Sequence, residues 1–184
     1  MKKDSILRFL IVCAIILSGL LAGETFDRLV IGVAAWRHVP IESWALYSRN
    51  ADLSTGAFVY PVEAIGTSLI LIWVFIIILR NKPIYHSMVL PVAIATFLSM
   101  AGLLFTFFAA PWMLRLKTSG DEAEALQNIF DHFYFWSTCR GVVQILCFPA
   151  CVWCLTRSHI KGLDWYWTTG IALALVAGES AVGR

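Results

Sequence analysis

The chain has 184 residues, of which 59% are hydrophobic and 14% are charged, and its formal net charge is +2. A soluble domain carries about 25% charged residues, so this chain has too few charges to cover its apolar surface in water. A lipid bilayer solvates apolar faces instead. The small net charge and the lack of a basic cluster exclude a nucleic-acid partner. Composition therefore predicts an integral membrane protein whose main partner is the lipid bilayer.

Four apolar segments are each long enough to cross the hydrocarbon core, which needs about 20 helical residues. They are predicted at residues 5–36, 61–79, 87–110 and 121–156. We therefore predict an all-α membrane domain over residues 1–162, built as a four-helix bundle. The first and fourth segments exceed the length that the core requires. We expect the ends of these two helices and the first loop to form a small cap on the outer side.

Both termini allow more than one interpretation. The small residues at 21–23 could end a cleaved signal peptide, but the apolar pattern resumes at 29–36, which favours a retained first helix. The tail at residues 163–184 carries three adjacent aromatic residues at 165–167 and a short apolar run at 171–178. We predict an interfacial helix there, because the run is shorter than a span requires. A fifth span is the alternative.

The distribution of Lys and Arg predicts the orientation, since cytoplasmic loops carry the excess of these residues. With the amino terminus inside, seven basic residues flank the spans on the cytoplasmic side and four on the outer side. The seven are Lys2, Lys3, Arg8, Arg80, Lys82, Arg157 and Lys161, and the four are Arg37, Arg49, Arg115 and Lys117. We therefore predict a plasma membrane or bacterial inner membrane protein with a cytoplasmic amino terminus.

Three ionisable residues are predicted to share one depth inside the membrane. Glu24 lies 16 residues from Arg8, Glu63 lies 17 from Arg80, and Arg140 lies 17 from Arg157. At 1.5 Å per residue these spacings correspond to ~24–26 Å, within the ~30 Å core. Charged groups at such a depth are costly and usually face a bundle interior or a cavity.

The fourth helix adds a polar stripe at a spacing of four residues, from 128 to 144. Together with the first and second helices, it predicts an outward-opening pocket for a small apolar or aromatic molecule. The candidate catalytic residues are Glu24, Glu63, His132 and Arg140. The candidate ligand-binding residues are Arg28, Asn128, Trp136 and Gln144.

The same residues also allow a structural interpretation. Glu63 follows Pro61 in the predicted first turn of its helix, where a carboxylate complements the helix dipole. Arg140 could pair with Glu24 or Glu63, and Glu24 could pair with Arg28 within one helix. The alternative function is therefore a non-catalytic membrane subunit or binding protein whose charges only pair helices. The sequence leaves open whether the chain forms a homo-oligomer.

Metal and thiol chemistry are weakly signalled. No Glu-x-x-His pair of the di-iron bundle type occurs, and we predict neither a metal nor a cofactor. Cys151 and Cys154 form a C-x-x-C, which makes a membrane thiol oxidoreductase a second alternative. The pair lies beside Arg157 at the cytoplasmic end, and the outer loops contain no cysteine that could act as its partner. This position favours a packing role for both residues.

The overall pattern resembles the anthrone-oxygenase-like family of small four-helix membrane proteins. The long first helix carries Ala22-Gly23 and leads into an outer loop with Pro40 and Trp44. The last helix has an acidic start and then enters its apolar run through Trp136-Ser137-Thr138-Cys139-Arg140. The similarity covers roughly residues 8–156, but its motifs match neither Glu24 nor the tail after Arg157.

This resemblance implies a four-helix bundle and a cofactor-free oxygenation of an electron-rich aromatic substrate. Such chemistry needs a base that forms a carbanion or phenolate able to react with oxygen, and Glu24, Glu63 or His132 would be that base. Arg140 would stabilise the anion. Trp136 would stack on the substrate.

Overall fold

The computed structural model describes residues 2–158 of the chain, which fold into four long helices. Helices α1 and α2 each contain one π-helical segment. Helix α1 comprises Lys2–Asp27, the π segment Arg28–Gly32 and Val33–Trp36; α2 comprises Ile41–Asn50, the π segment Ala51–Thr55 and Gly56–Arg80; α3 is Lys82–Arg115; and α4 is Ala123–Arg157. The predicted tail helix at 163–184 lies outside the described residues.

The predicted all-α four-helix bundle is confirmed. Each helix is long and apolar enough to cross a membrane. Helix α1 packs against α2 and α4, and α3 packs against α2 and α4, so the helices form a closed ring of antiparallel neighbours. Asn81 joins α2 to α3 at the amino-terminal end of the bundle. Residues 37–40 and 116–122 join the other helices at the opposite end, which we call the cap end.

Two of the predicted segments, the second and the third, are shorter than the helices that contain them. The second helix begins at Ile41 rather than at residue 61, so the predicted first outer loop is helical, and Glu63 lies mid-helix rather than in a first turn. The third helix covers Lys82–Arg115 instead of 87–110. Pro61 was interpreted as a helix start, but a proline inside a membrane helix is tolerated when neighbouring helices stabilise the turn around it. At 1.5 Å per residue, each of the four helices is longer than the ~30 Å hydrocarbon core.

The cap is held by its own hydrophobic cluster and by one arginine. Trp44 of α2 packs edge-to-face on Phe130 of α4, with ring centroids 4.9 Å apart. Arg49 binds the turn between α3 and α4 through Nε to the Leu116 carbonyl at 3.0 Å and through Nη1 to Asp121 at 2.7 Å. These bonds satisfy a carbonyl left free at the end of α3. Ser119 and Glu122 have the spacing of a capping box, but α4 begins without a side-chain cap.

A polar layer separates two hydrophobic clusters along the bundle axis. The cluster towards the amino-terminal end contains Leu7, Leu71 and Val92, and the cap cluster contains Trp44, Leu116 and Phe130. Buried polar side chains lie between them. The polar layer comprises Thr25, Asp52, Glu63, Thr67, Ser68, Ser99, Ser137 and Gln144. These eight polar side chains are thus enclosed inside the bundle rather than placed on the lipid-facing surface.

A glycine on α4 allows α1 to approach the polar layer closely. A Cβ atom at Gly141 would overlap the side chains of Leu29 and Thr25 on α1. Gly19 has a looser contact, since its Cβ would lie 3.1 Å from Phe148, and a Cβ at Gly23 would meet nothing within 4 Å. The close contact of α1 and α4 therefore depends on Gly141 more than on the G-x-x-x-G pair of α1.

We expect Gly141→Val to destabilise the bundle by about 2 kcal/mol, because the added methyl groups overpack the α1–α4 contact. Thermal unfolding of the detergent-solubilised protein measures the effect. Gly23→Val is the matched control and should change the free energy of unfolding much less. Equal unfolding temperatures for both variants would contradict the packing role of Gly141.

Candidate functional site

A cavity of about 350 Å³ lies at the polar layer and is lined by all four helices. Its volume is at the small end of the range for ligand pockets. Most of its walls are apolar, and its polar side chains come from different helices. The polar lining residues are Glu24, Thr25, Arg28, Asp52, Tyr60, Thr106, Arg140 and Gln144. An apolar cavity with a few converging polar groups is the usual form of a small-molecule site.

One ion pair joins the two π segments across the cavity wall. Arg28 begins the π segment of α1, and its Nη2 donates to Asp52 Oδ1 in the π segment of α2. The Asp52 side chain is only 6% exposed. The Arg28 guanidinium also lies 5.3 Å from the centroid of the Tyr60 ring, in a cation–π contact. Arg28 is therefore largely satisfied by protein groups, as a structural pair should be.

Arg140 differs from Arg28, because most of its hydrogen-bonding capacity is unused within the described chain. Its Nη2 donates to Ser137 Oγ at 3.2 Å, one turn away on the same helix. Its Nε is buried and meets no acceptor among residues 2–158. A guanidinium has five N–H donors, and leaving donors unpaired in a low-dielectric interior is costly. Arg140 lines the cavity, so its guanidinium group lies beside the space that a ligand would occupy.

Besides Asp52, two acidic residues on α1 and α2 belong to the region of the cavity. Glu24 of α1 lines the cavity, and it interacts electrostatically with Glu63 of α2. Glu63 is buried, and its Oε2 has no hydrogen-bond donor among the described residues. Tyr60 also lines the cavity, on the same helix as Glu63 and beside the Arg28 guanidinium. A bound molecule can therefore contact a carboxyl group and a guanidinium from separate helices.

The structure does not bring every predicted site residue into the cavity. Glu24, Arg28, Arg140 and Gln144 line it, whereas Glu63, Asn128, His132 and Trp136 are not among the lining residues. His132 is exposed and stacks on Trp112, with ring centroids 4.1 Å apart. Trp136 stacks on Phe108 at 4.8 Å. The α4 stripe does not line the cavity along its whole length, because each four-residue step rotates about 40° around an α-helix and the stripe turns by ~160° between residues 128 and 144.

Four polar lining residues were missed in the sequence: Thr25, Asp52, Tyr60 and Thr106. Thr25 donates to Gln144 Oε1 at 3.1 Å and so links α1 to α4 beside the cavity. Asp52 and Tyr60 were assigned to a loop, although a buried carboxylate within reach of Arg28 would have completed the charge balance of the layer. The sequence contained one signal for Asp52: Arg28 lies at membrane depth, where a charged side chain needs a partner.

The thiol groups lie in the hydrophobic cluster at the other end of the bundle. Cys151 is 0% and Cys154 is 1% exposed, and both are free thiols. Cys154 Sγ donates to the Ala150 carbonyl at 3.1 Å within its own helix. A redox pair needs access to a partner, which this burial opposes. Within residues 2–158, no three His, Cys, Asp or Glu side chains come together as metal ligands.

We expect Asp52→Asn to lower the free energy of unfolding by about 3 kcal/mol, because it leaves the Arg28 guanidinium without its counter-charge in the bundle interior. Asp121→Asn is the matched control, since Asp121 also pairs with an arginine but is 74% exposed. We expect that substitution to cost under about 1 kcal/mol. Equal losses of thermal stability would show that the burial of the Arg28–Asp52 pair is unimportant.

Comparison of the chain with models of protein families, with curated proteins and with solved structures finds no match. The resemblance to the anthrone-oxygenase-like family therefore rests on the sequence pattern alone. Because fold does not determine function, the activity has to be inferred from the chemistry of the cavity residues.

Proposed function

We propose that this membrane protein binds a small molecule with an apolar or aromatic body and a hydrogen-bond-accepting oxygen in the cavity between its helices. The observation that carries the proposal is Arg140, whose donors are mostly unused beside an apolar cavity. Guanidinium groups bind carboxylate, phenolate and carbonyl oxygens through charge-assisted hydrogen bonds. The apolar walls accommodate the rest of such a molecule.

The alternative, in which the charges only pair helices, fits Arg28 and not Arg140. Arg28 is paired with Asp52 across two helices. The one hydrogen bond of Arg140 within the described chain goes to Ser137 on its own helix and joins no helices. Pairing between helices therefore explains Arg28, whereas the free donors of Arg140 remain for a ligand. The thiol oxidoreductase alternative has no such support, since Cys151 and Cys154 are enclosed in a hydrophobic cluster.

An oxygenase-like reaction is the enzymatic form of this proposal. Oxidation of an activated CH₂ group by O₂ to a carbonyl, with release of water, balances without an added reductant or cofactor. Glu24 would accept the proton that leaves the substrate carbon, and Arg140 would stabilise the resulting anion. Both residues line the cavity, whereas His132 does not. We therefore propose Glu24 rather than His132 as the base.

We further propose that the cap end faces away from the cytoplasm, in a plasma membrane or bacterial inner membrane. The support is the excess of Lys and Arg near the amino-terminal end of the bundle. The cavity then opens towards the non-cytoplasmic half of the bilayer.

We expect Arg140→Gln to weaken binding of naphthol and of decanoate by about tenfold or more, as a lost charge-assisted hydrogen bond costs at least ~1.5 kcal/mol. Calorimetric titration of the protein in lipid nanodiscs measures both affinities. Arg157→Gln makes the same substitution at an exposed helix end and should leave them unchanged. Equal affinities for wild type and Arg140→Gln would refute the proposed site.

We expect a membrane-impermeant maleimide to label Thr156→Cys only from the cytoplasmic side, because Thr156 is exposed at the amino-terminal end of the bundle. Leu46→Cys, exposed in the cap, serves as the counterpart and should be labelled only from the opposite side. Intact cells and inverted vesicles separate the two outcomes. The reverse labelling pattern would invert the proposed orientation.

A further inference from the structure

Helices α2 and α3 are joined by polar contacts in the polar layer and just on its amino-terminal side. The hydroxyl groups of Ser68 and Ser99 lie 2.6 Å apart in a buried hydrogen bond. Thr96 Oγ1 lies 3.4 Å from the Leu71 carbonyl, which adds a second contact one turn further from the cap. These contacts identify the facing surfaces of the two helices.

The facing surfaces continue towards the cap end as two stripes. On α2, Pro61 and Ile65 lie seven and three residues before Ser68, so they share its face. On α3, Thr106 and Ala110 lie seven and eleven residues after Ser99 and share that face in the same way. All four residues line the cavity. The cavity therefore occupies the space between α2 and α3 beyond the Ser68–Ser99 contact.

The two stripes do not close on each other. Ile65 is 48% exposed and Leu114 is 54% exposed, although both line the cavity. Ala57 and Pro61 on the same stripe are also exposed. We call the opening between these residues and Thr106, Ala110 and Leu114 the lateral gap. It connects the cavity with the outer surface of the bundle, which in a membrane is covered by lipid.

The depth of the lateral gap places its lower part in hydrocarbon. Ile65 lies 15 residues from Arg80, or ~22 Å along the helix, whereas the hydrocarbon core is ~30 Å thick. The side chains at this level of the gap are apolar. A molecule that enters here must already be dissolved in the bilayer.

We infer that the ligand of this protein is a lipid-soluble amphiphile that enters sideways from the bilayer through the lateral gap. This inference rests on the proposed binding function and specifies its ligand class. The molecule carries one accepting oxygen group, which reaches Arg140 on α4, and an apolar chain or ring system, which extends through the gap between α2 and α3. A cavity of about 350 Å³ suits a single chain or a small ring system.

Electron paramagnetic resonance of a stearate spin-labelled near its carboxyl group tests the route, with the full-length protein in phosphatidylcholine nanodiscs. We expect wild type to immobilise the probe, and the bound label to be relaxed by lipid-soluble O₂ but not by a water-soluble nickel chelate. Relaxation of the bound label by the nickel chelate would show an aqueous opening and overturn the lateral route.

Two variants narrow the lateral gap from opposite sides, Ala57→Phe on α2 and Ala110→Phe on α3. We expect each to slow probe association at least about tenfold, as added bulk obstructs the entrance. Leu104→Phe is the matched control, since Leu104 is 54% exposed on α3 but does not line the cavity. Should either gap variant fail to fold, the relaxation measurement on wild type still decides the route.

The outcomes separate the route from the site. Unchanged association in the two gap variants, with binding lost in Arg140→Gln, would overturn lateral entry and leave the proposed binding function intact. Failure of wild type to immobilise the stearate, with naphthol still bound through Arg140, would overturn the extension of an apolar chain through the lateral gap and leave the proposed binding function intact. Failure of all probes would overturn both proposals.

Discussion

The Arg28–Asp52 ion pair is the constraint on which the arrangement of the polar layer depends. Charges at this depth cannot face lipid without a large cost, so α1 and α2 must turn both side chains inwards. Each helix does so at a π segment, where the local rotation of the chain is altered. The pair thereby fixes the relative rotation of the two helices and leaves Tyr60 beside Arg28 at the cavity wall.

Much of this organisation follows from helix geometry and could be predicted. The rise of 1.5 Å per residue placed Glu24 and Arg140 at one depth, and both line the cavity. Rotation around the axis was judged less well, because even an ideal helix turns a four-residue stripe by about 40° per step, or ~160° between Asn128 and Gln144. The π segments carry no sequence signal of their own, although they hold the Arg28–Asp52 pair. For that reason Asp52 was taken for a loop residue.

The two arginines that line the cavity, Arg28 and Arg140, show why burial alone does not assign a role. Arg28 has a carboxylate and an aromatic ring as partners, while Arg140 has one hydroxyl group on its own helix. If every donor of Arg140 had a partner within the protein, the polar layer could be purely structural. Instead, the Arg140 guanidinium lies beside the apolar cavity with most of its donors unpaired. This arrangement stabilises a bound oxygen more than it stabilises the fold.

The close contact between α1 and α4 and the open contact between α2 and α3 have different roles. Gly141 brings α4 against α1, where a larger side chain would overlap Leu29, and this closed side holds Arg140 at a fixed position. The opposite contact, between α2 and α3, is closed by Ser68 and Ser99 only below the cavity. A rigid wall that carries the binding group and an open wall that faces lipid are both needed if a membrane-dissolved molecule is to enter sideways and still find a pre-arranged site.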